Sequence, residues 1–134
     1  MIRLLYCSQV KSDFSEEILK EILLTSRENN RRNRITGVLV HGGGLFMQVL
    51  EGPEQNVLRT YMKILDDKRH TDSRIIHITP IKDRLFENWT MGVIEAEPLT
   101  FENVAKLRAN RLESVHADVF SQVMREFTGM LTKA

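Results

Sequence analysis

An α+β sandwich of ferredoxin-like type is the fold class the chain predicts, with a mixed sheet of about five strands, two helices on one face and further helices at the C-terminus. Three observations lead to it. Apolar runs of strand length and amphipathic stretches follow in the order strand, helix, strand, strand, helix, strand, strand. Two of those strands flank a bare glycine triplet, the mark of a hairpin. Each amphipathic stretch also carries its own start and stop residues. At 134 residues the chain is long enough for one domain with a real core.

The first strand is residues 2–8, IRLLYCS, a short apolar run that holds Tyr6 beside Leu4 and Leu5. The helix after it starts at Ser15, whose hydroxyl can accept from a free N–H of the first turn. Glu16 and Glu17 stand where the helix dipole favours negative charge. Phe14 and Leu19 have hydrophobic-staple spacing, and Ile18, Leu19, Ile22, Leu23 and Ser26 recur on one face. The helix is expected to dissolve in the poor helix formers from Asn29 and Asn30 to Arg34.

Residues 35–41 and 45–51 are the hairpin strands, joined by Gly42-Gly43-Gly44, which supplies the positive φ of a tight turn. Gln48 is the odd residue, an amide among Phe46, Met47, Val49 and Leu50. Buried without a partner it would cost roughly 2–7 kcal/mol, so a partner is expected. Pro53 is read as the first residue of the second helix, with Val57, Leu58, Tyr61, Ile64 and Leu65 as its apolar face and Lys68, Arg69 and His70 closing it. Residues 73–80 read as a strand, 82–88 as a polar connection and 89–94 as the last strand. Helices are expected at about 101–109 and 113–130. The second has the stripe Val115, Val119, Phe120, Val123, Met124 and Phe127, to cover the sheet's other face or a partner.

Composition narrows the function. Hydrophobic residues at 42% and charged ones at 28% give a globular balance. The net charge of +1 argues against a dedicated nucleic-acid binder, and the cluster Arg27, Arg31, Arg32 and Arg34 reads as dipole complement and solubilising charge. No apolar run approaches a bilayer span, and MIRLLYCSQV lacks the layout of a signal peptide. The lone Cys7 excludes an internal disulfide. A cytoplasmic protein is the expectation.

Two motifs mislead. His41-Gly42-Gly43-Gly44 spells the oxyanion loop of some esterases, but no G-x-S-x-G elbow accompanies it. The dinucleotide fingerprint fails at Met47, where it needs glycine. His41, His70, His77 and His116 are scattered with no metal-ligand spacing, so no metal is expected. What remains is a set of polar or unusual groups in apolar places: Tyr6, Asn29, Asn30, Gln48, Trp89 and Met91.

In order and spacing they resemble the BLUF domain, the sensor of blue light using flavin. The resemblance is carried by Tyr6 in LLYCSQ, Asn29 and Asn30 in SRENNRRNRITG, ITGVLV, Phe46 and Gln48 in LFMQVLEG, Asp67, Arg69 and His70 in DDKRH, and NWTMG. The resemblance runs from Ile2 to about Glu95, so residues 1–97 are expected to be the sensor domain and 98–134 a helical extension for output, oligomerisation or cover of the sheet. It also implies a non-covalent flavin between the two helices, FAD first, with FMN or riboflavin as alternatives. Carried over, Asn30 binds the ring edge and Asn29 the ribityl or adenine side. Ile22, Ser26, Leu39, Phe46 and Ile64 line the ring, with Lys63, Asp67, Arg69 and His70 toward the phosphate end. Lys63 stands where many relatives have arginine, which keeps the charge but not the bidentate fork.

The resemblance further implies that Tyr6 gives up an electron and then a proton to the excited flavin, with Gln48 bridging the two. Gln48 then rotates or tautomerises and binds the flavin C4 carbonyl more strongly, which shifts absorption to the red. Trp89 and Met91 would repack and pass the change to the C-terminal helices. Since 134 residues leave no room for a fused cyclase or phosphodiesterase, the expected partners are a separate effector protein and a second copy of the chain. The chain itself is expected not to be an enzyme. The competing readings are an acylphosphatase-type hydrolase using the Arg/Asn cluster, a light-inactive scaffold and a flavin redox enzyme.

Overall fold

The computed structural model describes residues 1–88 and 90–95, the last two by their backbone. Trp89, and with it the helices expected at 101–109 and 113–130, lies outside the described residues. The elements are β1 (Ile2–Val10), α1 (Glu16–Arg32), β2 (Thr36–Gly42), β3 (Leu45–Gly52), α2 (Glu54–Leu65), β4 (His70–Pro80) and β5 (Gly92–Glu95). The sheet order is β4-β1-β3-β2-β5. All pairings are antiparallel except β2 with β5, which run parallel. This is the ferredoxin-like arrangement, extended by one edge strand.

Alternation sorts the sheet into two faces. Ile2, Leu4 and Tyr6 of β1, Leu39 of β2 and Phe46 and Leu50 of β3 form one core with Leu23 of α1 and Val57 and Tyr61 of α2. The other face carries Leu5, Cys7, Val38, Val40, Met47 and Val49, none with exposed surface. Gly37 lets β2 lie against β3, because a Cβ there would stand 1.9 Å from the Val49 carbonyl oxygen. The hairpin turn is Gly43-Gly44, at φ 55° and 78°, the positive values that a two-residue turn between twisted strands requires. The end of β1 reaches that turn through Val10 N–H donating to Gly44 O at 3.0 Å, which carries the strand beyond the expected residue 8.

Several boundaries differ from expectation. Ser15 caps α1 by accepting from Ile18 N–H, but the helix runs through Asn29 and Asn30 and stops at Asn33. Tertiary bonds override the low propensity of those asparagines: Asn29 donates to Thr60 Oγ1 and Asn30 to Thr90 O. Pro53 is the N-cap of α2, at ψ 136°, rather than its first helical residue. Leu58 and Leu65 are exposed, and Thr60 takes the interior place between Val57 and Tyr61. α2 ends at Leu65, so Lys68, Arg69 and His70 do not close it, and His70 opens β4. β5 begins at Gly92, after Met91 rather than at Trp89.

The connection from β4 to β5 passes from one edge of the sheet to the other. Glu51, fully buried on β3, holds it in mid-course. Its carboxylate accepts from Leu85 N–H at 3.1 Å and Phe86 N–H at 2.8 Å, and pairs with Arg3 at 2.9 Å. Arg84 fastens the same turn by donating to Thr36 Oγ1, Glu51 O and Arg34 O. These bonds set where the chain re-enters the core at Met91.

Candidate functional site

Between α1, α2 and the sheet lies a cleft of about 260 Å³. Ile22 and Ser26 of α1, Leu39 of β2, Phe46 of β3 and Ile64 of α2 supply its walls, and Asn29, Asn30, Tyr6 and Gln48 bring polar atoms to it. Lys63, Asp67, Arg69 and His70 stand at the α2 side. Every residue expected to contact flavin therefore lines this one cleft. Thr25 and Thr60 line it as well, and the sequence reading missed both. Thr60 had a signal, since it falls three residues after Val57 on the helix face that packs inward.

Tyr6 and Gln48 are directly opposed in the β1–β3 ladder, which brings their side chains together. The Tyr6 hydroxyl donates to Gln48 Oε1. The other end of the amide, Nε2–H, donates to Met91 Sδ at 3.3 Å. The odd glutamine thus has a partner on each side, and only 3% of it is exposed. The Tyr6 ring lies against Tyr61, with centroids 5.1 Å apart. Burial, helped by Tyr61, Cys7 and Asp67 nearby, pushes the Tyr6 phenol far above its usual pKa. Tyr6 therefore keeps its proton across the physiological range.

Asn30 is 1% exposed. Its Nδ2 donates to Thr90 O at 2.7 Å. Asn29 bridges the helices, donating to Thr60 Oγ1 at 3.1 Å and accepting from Asn33 Nδ2 at 3.2 Å. Arg69 grips both carboxylate oxygens of Asp67, and those bonds hold the Asp67 carboxyl below its ordinary pKa. Lys63 is exposed. His70 Nε2–H donates to Ile64 O at 2.7 Å, so in a neutral ring Nδ1 is an acceptor. That nitrogen is buried with no partner among the described residues.

The chemistry of these donors and acceptors fits a flat heteroaromatic ring with a polar edge and a hydroxylated chain. Apolar walls suit the ring faces, Asn30 the edge, and the unpartnered His70 Nδ1 a hydroxyl or N–H donor. The Arg/Asn cluster does not form a phosphate site for a hydrolase in this cleft, because Arg31 and Arg34 line a separate one. His41 and its glycines make the hairpin. Among the described residues no group of three or more His, Cys, Asp or Glu could hold a metal, and no helix is long and apolar enough to cross a membrane.

Comparison with known proteins agrees with this chemistry. The family model "Sensors of blue-light using FAD" (BLUF) matches residues 1–92. The photoactivated adenylate cyclase subunit beta of Euglena gracilis is 35% identical over 131 residues, covering 96% of this chain but 14% of that protein. Among solved structures, the dark state of BlrB, a BLUF protein, superposes with a TM-score of 0.79 at 26% identity and covers 96% of each chain. A bacterial light-regulated adenylyl cyclase superposes with a TM-score of 0.70 at 37% identity, covering 81% of this chain and 34% of the other. The chain thus spans about a seventh of the curated relative. With its fold, its cleft and the match over residues 1–92, the chain belongs to the BLUF family of flavin-binding blue-light sensors.

Proposed function

We propose that Tyr6 and Gln48 are the photoactive pair of this sensor and that the cleft lined by Asn30 holds its FAD. The observation that carries the reading is the buried chain of bonds from the Tyr6 hydroxyl through the Gln48 amide to the Met91 thioether. When bound, the flavin absorbs blue light and becomes a strong electron acceptor. Tyr6 is the buried phenol within reach, and burial keeps its proton in place until an electron has left. The lost proton then has one acceptor directly beside it, Gln48 Oε1. An amide that takes a proton at oxygen and gives one up from nitrogen, or that turns about its last bond, exchanges its donor and acceptor ends. The thioether is only a weak acceptor, so it opposes that exchange little.

Asn30 Oδ1 accepts from the ring edge, and His70 Nδ1 accepts from the ribityl chain. The cleft is near the small end of ligand cavities, which start at about 300 Å³. It takes the ring system, while the rest of FAD extends outward past Lys63. Arg69 is committed to Asp67 and the pair is neutral as a whole, so Lys63 supplies the positive charge toward the phosphate end. Residues 1–97 act as the sensor and 98–134 as the output or oligomerisation segment, with Trp89 and Met91 at the junction. The protein acts in the cytoplasm by passing its state to a separate effector or to a second copy of itself, and catalyses no reaction.

The test is an absorption spectrum of the flavin-loaded protein in the dark and under blue light. A reversible shift to the red is expected, and Tyr6→Phe and Gln48→Leu should keep the flavin and abolish the shift. A normal light cycle in either variant would sink the assignment.

A further inference from the structure

The two residues before β5 are held at three points from two elements. Asn30 Nδ2 donates to Thr90 O at 2.7 Å, and Arg27 Nε donates to Met91 O at 3.2 Å. Gln48 Nε2 donates to Met91 Sδ at 3.3 Å. Arg27 and Asn30 are three residues apart on α1 and so lie on one side of the helix. Of the three contacts, the thioether one is the weakest, because sulfur is a poor acceptor. A guanidinium donor is roughly twice as strong as a neutral one. The main chain at Met91 is therefore held chiefly by α1, while its side chain is the part that reads Gln48. Beyond it, β5 is four residues long and pairs with β2.

Resting on the reading of Tyr6 and Gln48 above, we propose that Arg27 is a positioning residue of the light cycle. It latches the main chain at Met91 so that the thioether meets Gln48, and it limits how far the start of β5 moves when the amide reorients. Arg27 does not line the cleft, and it is solvent-exposed. Its removal therefore spares the residues that hold flavin, and it opens no cavity in the core.

The experiment compares the full chain with Arg27→Ala and with Arg32→Ala. Arg32 is an exposed cation of the same helix, paired with Glu28, so it controls for the loss of charge. Amide hydrogen exchange at residues 91–94 is measured in the dark, with and without flavin, and the return to the dark spectrum is timed after a flash. Arg27→Ala should raise exchange there about tenfold, the effect of losing one charge-assisted hydrogen bond. It should also change the return rate severalfold while leaving the size of the red shift as in the parent. Arg32→Ala should change none of these. Parent-like exchange and return in Arg27→Ala would overturn the proposal. Equal effects in both variants would overturn it too, as would loss of flavin with unchanged exchange. Were the parent to show no red shift, the reading of Tyr6 and Gln48 would fall, while exchange in the flavin-free protein would still decide whether Arg27 latches the chain.

Discussion

A buried amide must be matched at both ends, and Gln48 shows how far that rule carries from sequence alone. Its place among Phe46, Met47, Val49 and Leu50 demanded a partner. The ladder supplies Tyr6 as its opposite residue, and the chain's re-entry supplies Met91. Only the partner's identity lay beyond local reasoning, because Tyr6 and Gln48 are 42 residues apart. Asp67 and Arg69 were legible as charged neighbours, but their mutual pairing was not. That pair gives a pH test. Arg69 holds the Asp67 carboxyl below its ordinary value of 3.8. The group binds fewer protons folded than unfolded, so its contribution is present above 3.8 and is lost as pH falls through the lower folded value. Both side chains are partly exposed, Arg69 at 29% and Asp67 at 27%, so solvent screens the pair and about 0.2–1 kcal/mol is the expected size. Denaturant midpoints of the parent and Asp67→Asn should differ at pH 6, and the gap should close as pH falls below 3.8 through the lower folded value. A constant gap across that range would contradict the pairing.

At the scale of the element, what sequence reads poorly is what distant chain supplies. The hairpin, the Ser15 cap and the strand–helix order were all readable, since each depends on residues within one turn or one alternation. The end of α1 was not, because Asn29 and Asn30 stay helical through bonds to Thr60 and Thr90. Glu51 was equally silent, for nothing in LFMQVLEG tells that its carboxylate serves N–H groups at 85 and 86. The crossover from β4 to β5 depends on it. Glu51→Ala would leave Arg3, 14% exposed in its side chain, without its charge partner, and two backbone donors without acceptors. Breaking a buried pair in this way costs about 3–5 kcal/mol. Glu51→Gln keeps the volume and part of the bonding, and about 1–3 kcal/mol is expected. Urea unfolding would measure both. Proteolysis should cut the Ala variant first near residues 81–88, and a loss under 1 kcal/mol in that variant would show that the crossover is held elsewhere.

For the whole molecule, the arrangement of the sheet decides which strands the Tyr6–Gln48 pair touches. Tyr6 and Gln48 sit on adjacent central strands, and Met91 ties them to the outer strand β5, after which the chain runs into residues 96–134. The order of elements was legible in the sequence, where a strand at 89–94 precedes the residues expected to be helical. The contacts of the final segment were not legible, because an apolar stripe at helical spacing suits a sheet face and a partner equally well. If the output runs this way, illumination must alter the segment beyond β5 through Gln48 and not through the flavin alone. Hydrogen exchange over residues 98–134 should differ between dark and blue light in the parent. It should be the same in both for Gln48→Leu loaded with flavin, which absorbs light but has no amide to reorient. Tail exchange that responds to light in both proteins would place the route outside Gln48, and a tail that responds in neither would remove residues 98–134 from the output path.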